Sequence, residues 1–144
     1  MNRILFACLL GLLPGLAAAA QFATFGAFEI HHNALRADFI PAEVASAQGI
    51  TRSGARGLVN IAVIRRAESG AGTPSEATIT LTVYNLAGQS QAVRLRPVRE
   101  PDALYYIGEF RISGIDTYRF EGEVEPEGAG QAFALRWAQE LYAD

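Results

Sequence analysis

Residues 58–64, LVNIAVI, constrain the fold more than any other stretch of the chain. They are almost unbrokenly apolar and rich in β-branched side chains, with Asn60 the one polar interruption. A run this short and this apolar reads as a strand covered on both faces, not as a helix. The remaining chain must supply both covers, and most of it alternates apolar and polar residues. Ala77 to Tyr84 is a clean case, with Ala77, Ile79, Leu81 and Val83 on one face and threonines on the other. Phe28, Ile30 and His32 share a strand face, opposite Glu29, His31 and Asn33.

Further strands follow over Gln91 to Arg99 (Val93 and Leu95 inward), Leu104 to Ile112, Thr117 to Glu125 and Ala132 to Tyr142. Asn85 to Gln89 suits a hairpin connection with Gly88 left-handed, and Pro101-Asp102 and Ser113-Gly114 mark turns. Between Asp38 and Gly57 the pattern changes. Pro41 stands where a first helical residue would, Glu43 in the first turn and Gly49 at a stop, so Pro41 to Gln48 reads as one or two helical turns. The expectation is an all-β, single immunoglobulin-like β-sandwich of about seven antiparallel strands, with a short helix in the 38–57 loop. Outer-face charges also predict a register for a 104–125 hairpin. Glu109 would face Arg119, or Arg111 would face Glu121, because the register between these opposes like charges.

The first twenty residues have the layout of a cleavable signal peptide. Arg3 gives a positive start, Ile4 to Leu16 an apolar run, and Ala18-Ala19-Ala20 a cleavage signal before Gln21. The run is broken by Pro14-Gly15, falls short of the roughly 20 apolar residues a bilayer needs, and has no basic flank after it. Export with cleavage near Ala20 is therefore expected, to the periplasm or beyond, leaving residues 21–144 as one domain without stable membrane insertion. Cys8 leaves with the leader, so disulfides and thiolate chemistry are excluded from the product. Removing Arg3 takes the net charge from −3 to −4, which argues against nucleic acid as partner. All twelve basic residues are arginine, which excludes lysine chemistry.

The strings FEIHHNAL, FIPAEVASAQGITRS, RGLVNIAVI, YNLAGQ, ALYYIGEFRI and QELY occur in this order. Together they resemble a family of small exported proteobacterial proteins known only as a domain of unknown function. The resemblance spans residues 21–144 and implies a periplasmic β-sandwich; it brings no catalytic residues. His31, Pro41, Glu43, Arg52, Ser53, Asn60 and Gln139 match its recurring pattern, whereas His32 replaces a usual aromatic and Gly54-Ala55 a more polar pair.

Each polar feature has a structural and a functional reading. Adjacent strand residues point to opposite faces, so His31 and His32 cannot share one metal ion without a bulge. Copper(I) would also want sulfur, and residues 21–144 hold neither Cys nor Met. His32 is expected to pack and His31 to lie at the surface. Glu121, Glu123, Glu125 and Glu127 recur every second residue, as a calcium row or, preferred, as a solvated face that protects a sheet edge. Arg52, Ser53 and Arg56 could hold a carboxylate or phosphate, or Asp38 and Glu43 could take up the arginines and fix the loop. Asn60 is expected to bond backbone of that loop. The serines lack a G-x-S-x-G context and no histidine lies beyond residue 32, so no catalytic residues, metal or cofactor are assigned. The residues point to a non-enzymatic binding or accessory module, acting on an unknown protein partner through a loop or strand edge. The alternative is a small-ligand or metal-binding protein using His31 with nearby arginines or carboxylates.

Overall fold

The computed structural model describes residues 21–142, so the leader read over residues 1–20 lies outside the described residues. Ten strands form in chain order: β1 (Gln21–Phe25), β2 (Phe28–Arg36), β3 (Arg56–Arg65), β4 (Thr73–Pro74), β5 (Ala77–Tyr84), β6 (Ser90–Ala92), β7 (Arg96–Glu100), β8 (Ala103–Arg111), β9 (Ile115–Pro126) and β10 (Phe133–Tyr142). One helix, α1 (Ala42–Gln48), follows a 3-10 turn at Ala37–Phe39. Among the described residues no helix is long and apolar enough to cross a membrane.

The strands make two antiparallel sheets, ordered β1-β2-β3-β8-β7 (with β4 beside β3) and β10-β9-β5-β6. Leaving β1 and β4 aside, this is the immunoglobulin strand order. A tyrosine corner accompanies it. Tyr118, early in β9, is buried and its hydroxyl accepts a bond from the Ser113 N–H at 3.0 Å.

LVNIAVI forms the middle of β3, covered on both sides. Val59, Ile61 and Val63 enter the core between the sheets. Leu58 instead packs outward with Leu35, Val98 and Ile107 beneath Ile40, Val44, Ala45 and Ile50 of the 38–57 loop. That loop is a second core, lying flat on the larger sheet. Its helix starts after Pro41 and ends at Gly49, whose φ of 68° suits a residue without Cβ.

The predicted 104–125 hairpin does not form. β8 pairs with β3 and β7, while β9 pairs with β10 and β5 in the opposite sheet. Neither expected register exists. Arg111 faces Arg56, Arg119 faces Ala138 and Tyr84, and Glu121 faces Arg136 and Thr82. The apolar sides decide this, because Phe110 meets Tyr118 and Phe120 edge-on across the core at 5.7 and 5.4 Å instead of lying beside them. Burying three aromatic rings outweighs an exposed charge pair worth a few tenths of a kcal/mol to about 1 kcal/mol.

The strand expected over 91–99 is likewise two. β6 pairs with β5 only from Ser90 to Ala92, then the chain crosses to the larger sheet and continues as β7. Gly108 makes room for the crossing, since a Cβ there would lie 2.5 Å from the Arg94 carbonyl oxygen. β1 and β4 were not expected. β1 is a hairpin partner for β2, turning through Gly26 at φ 56°.

β1 covers β2 only as far as His32, leaving the backbone edge at Ala34 without a neighbouring strand among the described residues. The Gln139 side chain, from β10, takes its place: its Oε1 accepts from Ala34 N at 3.1 Å and its Nε2 donates to the Ala34 carbonyl. Gln139→Ala is expected to cost about 1–3 kcal/mol in urea unfolding, the cost of two unpaired backbone groups. A loss within about 0.5 kcal/mol, the level of an ordinary surface change, would show that water fills in.

Candidate functional site

The 38–57 loop is held mainly by arginines, though not through the partners expected from the sequence. Asp38 is gripped at both oxygens by Arg36, two residues away, with the Nε–Oδ1 bond at 2.9 Å. Arg36 itself is buried and its guanidinium lies 5.0 Å from the Phe39 ring centre. Arg52 therefore bonds backbone instead, donating to the carbonyls of Ile40 at 2.7 Å and Asp38 at 3.0 Å. Glu43 is exposed and takes up neither arginine. Asn60 does not reach the loop. It lies opposite Asn33, and its buried Oδ1 has no hydrogen-bond partner among the described residues.

Ser53 and Arg56 close the loop. The Ser53 hydroxyl accepts from Ala55 N at 3.0 Å. Arg56 opens β3 and sits 3.8 Å from Glu109, whose other carboxylate oxygen accepts from Thr51 N at 3.1 Å. Beyond them lies a cleft of about 600 Å³ at one end of the sandwich, between the 53–56 turn, the β5–β6 hairpin and the β8–β9 crossover. Its walls include Ser53, Arg56, Gln91, Arg111, Ser113 and Tyr118. Of the residues singled out in the sequence, Ser53 and Arg56 line it and Arg52 does not. Arg111, Gln91 and Tyr118 went unnoticed as site residues because their approach to Arg56 depends on pairing of β3 with β8, strands far apart in the chain.

The structure separates His31 from this cleft. It lies opposite Ala62, towards the far end of β3 from Arg56. Its Nε2 meets Glu29 at 3.2 Å, and Phe22 stacks on it at 5.3 Å. His32 points the other way, into the core, 4.3 Å from Trp137. Burial, helped by the charge of His31, lowers its pKa from 6.5 to about 4. Among the described residues no three His, Cys, Asp or Glu side chains gather closely enough to hold a metal ion.

The glutamate row does not guard an edge, because β9 is an interior strand between β10 and β5. Glu121 faces Arg136 there, a favourable cross-strand pair. Glu125 and Glu127 join Glu76 around a second open cleft at the other end of β9.

A family model matches residues 22–144, described as a domain of unknown function, DUF4426. The chain belongs to the DUF4426 family. A crystal structure of a DUF4426 family protein from Pseudomonas aeruginosa PAO1 is similar at a TM-score of 0.75 and 30% identity, covering 88% of this chain and 98% of that one. A copper-bound variant of FetP from uropathogenic Escherichia coli strain F11 is similar at a TM-score of 0.62 and 17% identity, covering 88% and 97% of the two chains. FetP of the same strain, as isolated after expression in the periplasm of E. coli, gives a TM-score of 0.57, 17% identity and coverage of 86% and 93%. At that identity the likeness to FetP shows a shared fold alone. No curated protein matches the chain.

Proposed function

We propose that this DUF4426 protein is an exported, non-enzymatic binding or accessory module that accepts a partner strand along the outer edge of β10. The carrying observation is how the four sheet edges differ. β1 has five residues, β6 has three and β7 carries Pro97. β10 is ten residues long, runs without a bulge against β9, has no proline and pairs with no other strand among the described residues. Its outward side chains, Ala134, Arg136, Ala138 and Glu140, are exposed, and two of the four are small. A long edge without proline or bulge, carrying two charged side chains of opposite sign, is a template for an added strand. The placement of the histidines supports a non-enzymatic reading, since His32 is packed on Trp137 and His31 meets one carboxylate and one aromatic ring.

A photo-crosslinking residue at Ala138 is expected to capture a discrete partner in intact cells, while one at Glu123, exposed on β9 between β10 and β5 of the same sheet, captures none. Equal capture at both positions, or none at either, removes the strand-edge reading. N-terminal sequencing of the protein released by osmotic shock tests export separately, with Gln21 as the expected first residue.

The small-ligand or metal alternative draws its interest from the copper-bound FetP variant. In this chain it would rest on His31 and Glu29 alone, one imidazole and one carboxylate, with no sulfur ligand after residue 20. Those residues do not fit a copper site. Native mass spectrometry after incubation with copper is expected to return the metal-free mass, and a stoichiometric copper adduct would reinstate the alternative.

A further inference from the structure

We infer that the cleft between Arg56 and Arg111 is a binding site for the carboxylate of a singly charged organic anion. This cleft is separate from the β10 edge, and folding alone does not favour the placement of its two arginines. Arg56 and Arg111 are direct cross-strand neighbours, and both are exposed on the same face of the larger sheet. Like charges placed so repel. Glu109 offsets one of them, at 3.8 Å from Arg56. The Arg111 guanidinium has no hydrogen bond or ion pair among the described residues, although its backbone is clamped at both ends. Gln91 donates to its carbonyl at 2.9 Å and accepts from its N–H at 2.8 Å. The position of this arginine is thus fixed while its head group is left open.

The surroundings supply further donors. The buried Tyr118 hydroxyl accepts from Ser113 N at 3.0 Å and donates to nothing among the described residues, so its hydrogen is available to the cleft. Ser53 likewise uses its oxygen as an acceptor, for Ala55 N, and keeps its hydrogen. Two guanidinium groups and one carboxylate leave a net charge of +1. A carboxylate cancels that charge, whereas a phosphate monoester would leave an excess negative charge. The planar fork of Arg111 also matches a carboxylate in two parallel bonds. The cleft's volume, about 600 Å³, leaves room for the organic remainder of such a ligand.

The test is an NMR titration of the full protein with N-acetylalanine, its methylamide, acetate, the tripeptide acid N-acetyl-Ala-Ala-Ala and inorganic phosphate. Saturable shifts at the amides of Ser53, Ala55, Ile112 and Ser113, and at the Arg56 and Arg111 side-chain N–H groups, are expected with the acids and not with the methylamide. Arg111→Gln should weaken binding about tenfold or more, the scale of one charge-assisted contact, with Arg111→Lys between it and wild type. Arg94→Gln, an exposed arginine away from the cleft, should leave it unchanged. Tripeptide acid binding well above acetate assigns the ligand to peptide C-termini. Equal affinities assign it to small free acids, and both outcomes support the site. Tighter binding of phosphate, equal shifts with the methylamide, no saturable shift, or equal losses in Arg111→Gln and Arg94→Gln would overturn it.

Discussion

Phe120→Ala is expected to destabilise the protein by about 3–5 kcal/mol, the range for emptying a fully buried aromatic site. Phe120 is completely buried in the middle of β9. Its ring stacks on Trp137 at 4.4 Å with the planes 9° apart, and Phe110 meets it edge-on at 5.4 Å. The Trp137 contact lies within one sheet and the Phe110 contact crosses to the other, so the cavity left behind cannot close without shifting β8, β9 or β10. A fall in Tm of more than about 10 °C should follow in a domain of this size. Phe120→Leu keeps most of the volume and should lose far less. If the two variants melt together, the volume of the aromatic ring at position 120 is not what holds the core.

The second large effect is a loss of stability in mild acid, caused by His32. Its folded pKa, about 4, lies below the unfolded value of 6.5, because burial against Trp137 penalises the imidazolium. The unfolded chain therefore binds the proton first. The contribution of neutral His32 is whole above pH 6.5, declines as the pH falls through that value, and is exhausted below about pH 4. By linkage the loss is about 2 kcal/mol between pH 7.5 and pH 5, and about 3 kcal/mol in full. Urea titrations at the two pH values measure it, with Trp137, the chain's one tryptophan, as the fluorescence probe. His32→Phe should flatten the dependence over this interval, where few carboxylates titrate. Parallel losses in wild type and variant would place the acid sensitivity elsewhere. The replacement of an aromatic by His32 noted in the sequence thus has a physical consequence, because the ring still packs as an aromatic but carries a proton site.

Much of the fold was legible because strand alternation is a local signal. Leu104, Tyr106, Phe110 and Ile112, apolar at even positions of one strand, are all buried, as are Tyr118, Phe120 and Val124 on the following strand. The helix was legible for the same reason, since Pro41 and Gly49 act on the backbone where they stand. Strand partners were not legible. A period of two says which face a residue takes and nothing about which strand lies beside it, so β8 and β9 look like a hairpin in sequence and sit in opposite sheets.

The same division runs through the candidate site. The chain by itself placed Glu109 and Arg111 on the outer face of their strand and Arg56 in the loop before the next one, and turned the two histidines opposite ways, because adjacent strand residues must point so. Only the tertiary structure decided that Arg56 and Arg111 stand side by side at a cleft, and that Asp38 is spent on Arg36 and not on the loop arginines. The physical reason is that exposed charges contribute too little to choose strand partners. Burial of Phe110, Tyr118, Phe120 and Trp137 chooses them, and the charges lie wherever that core leaves them.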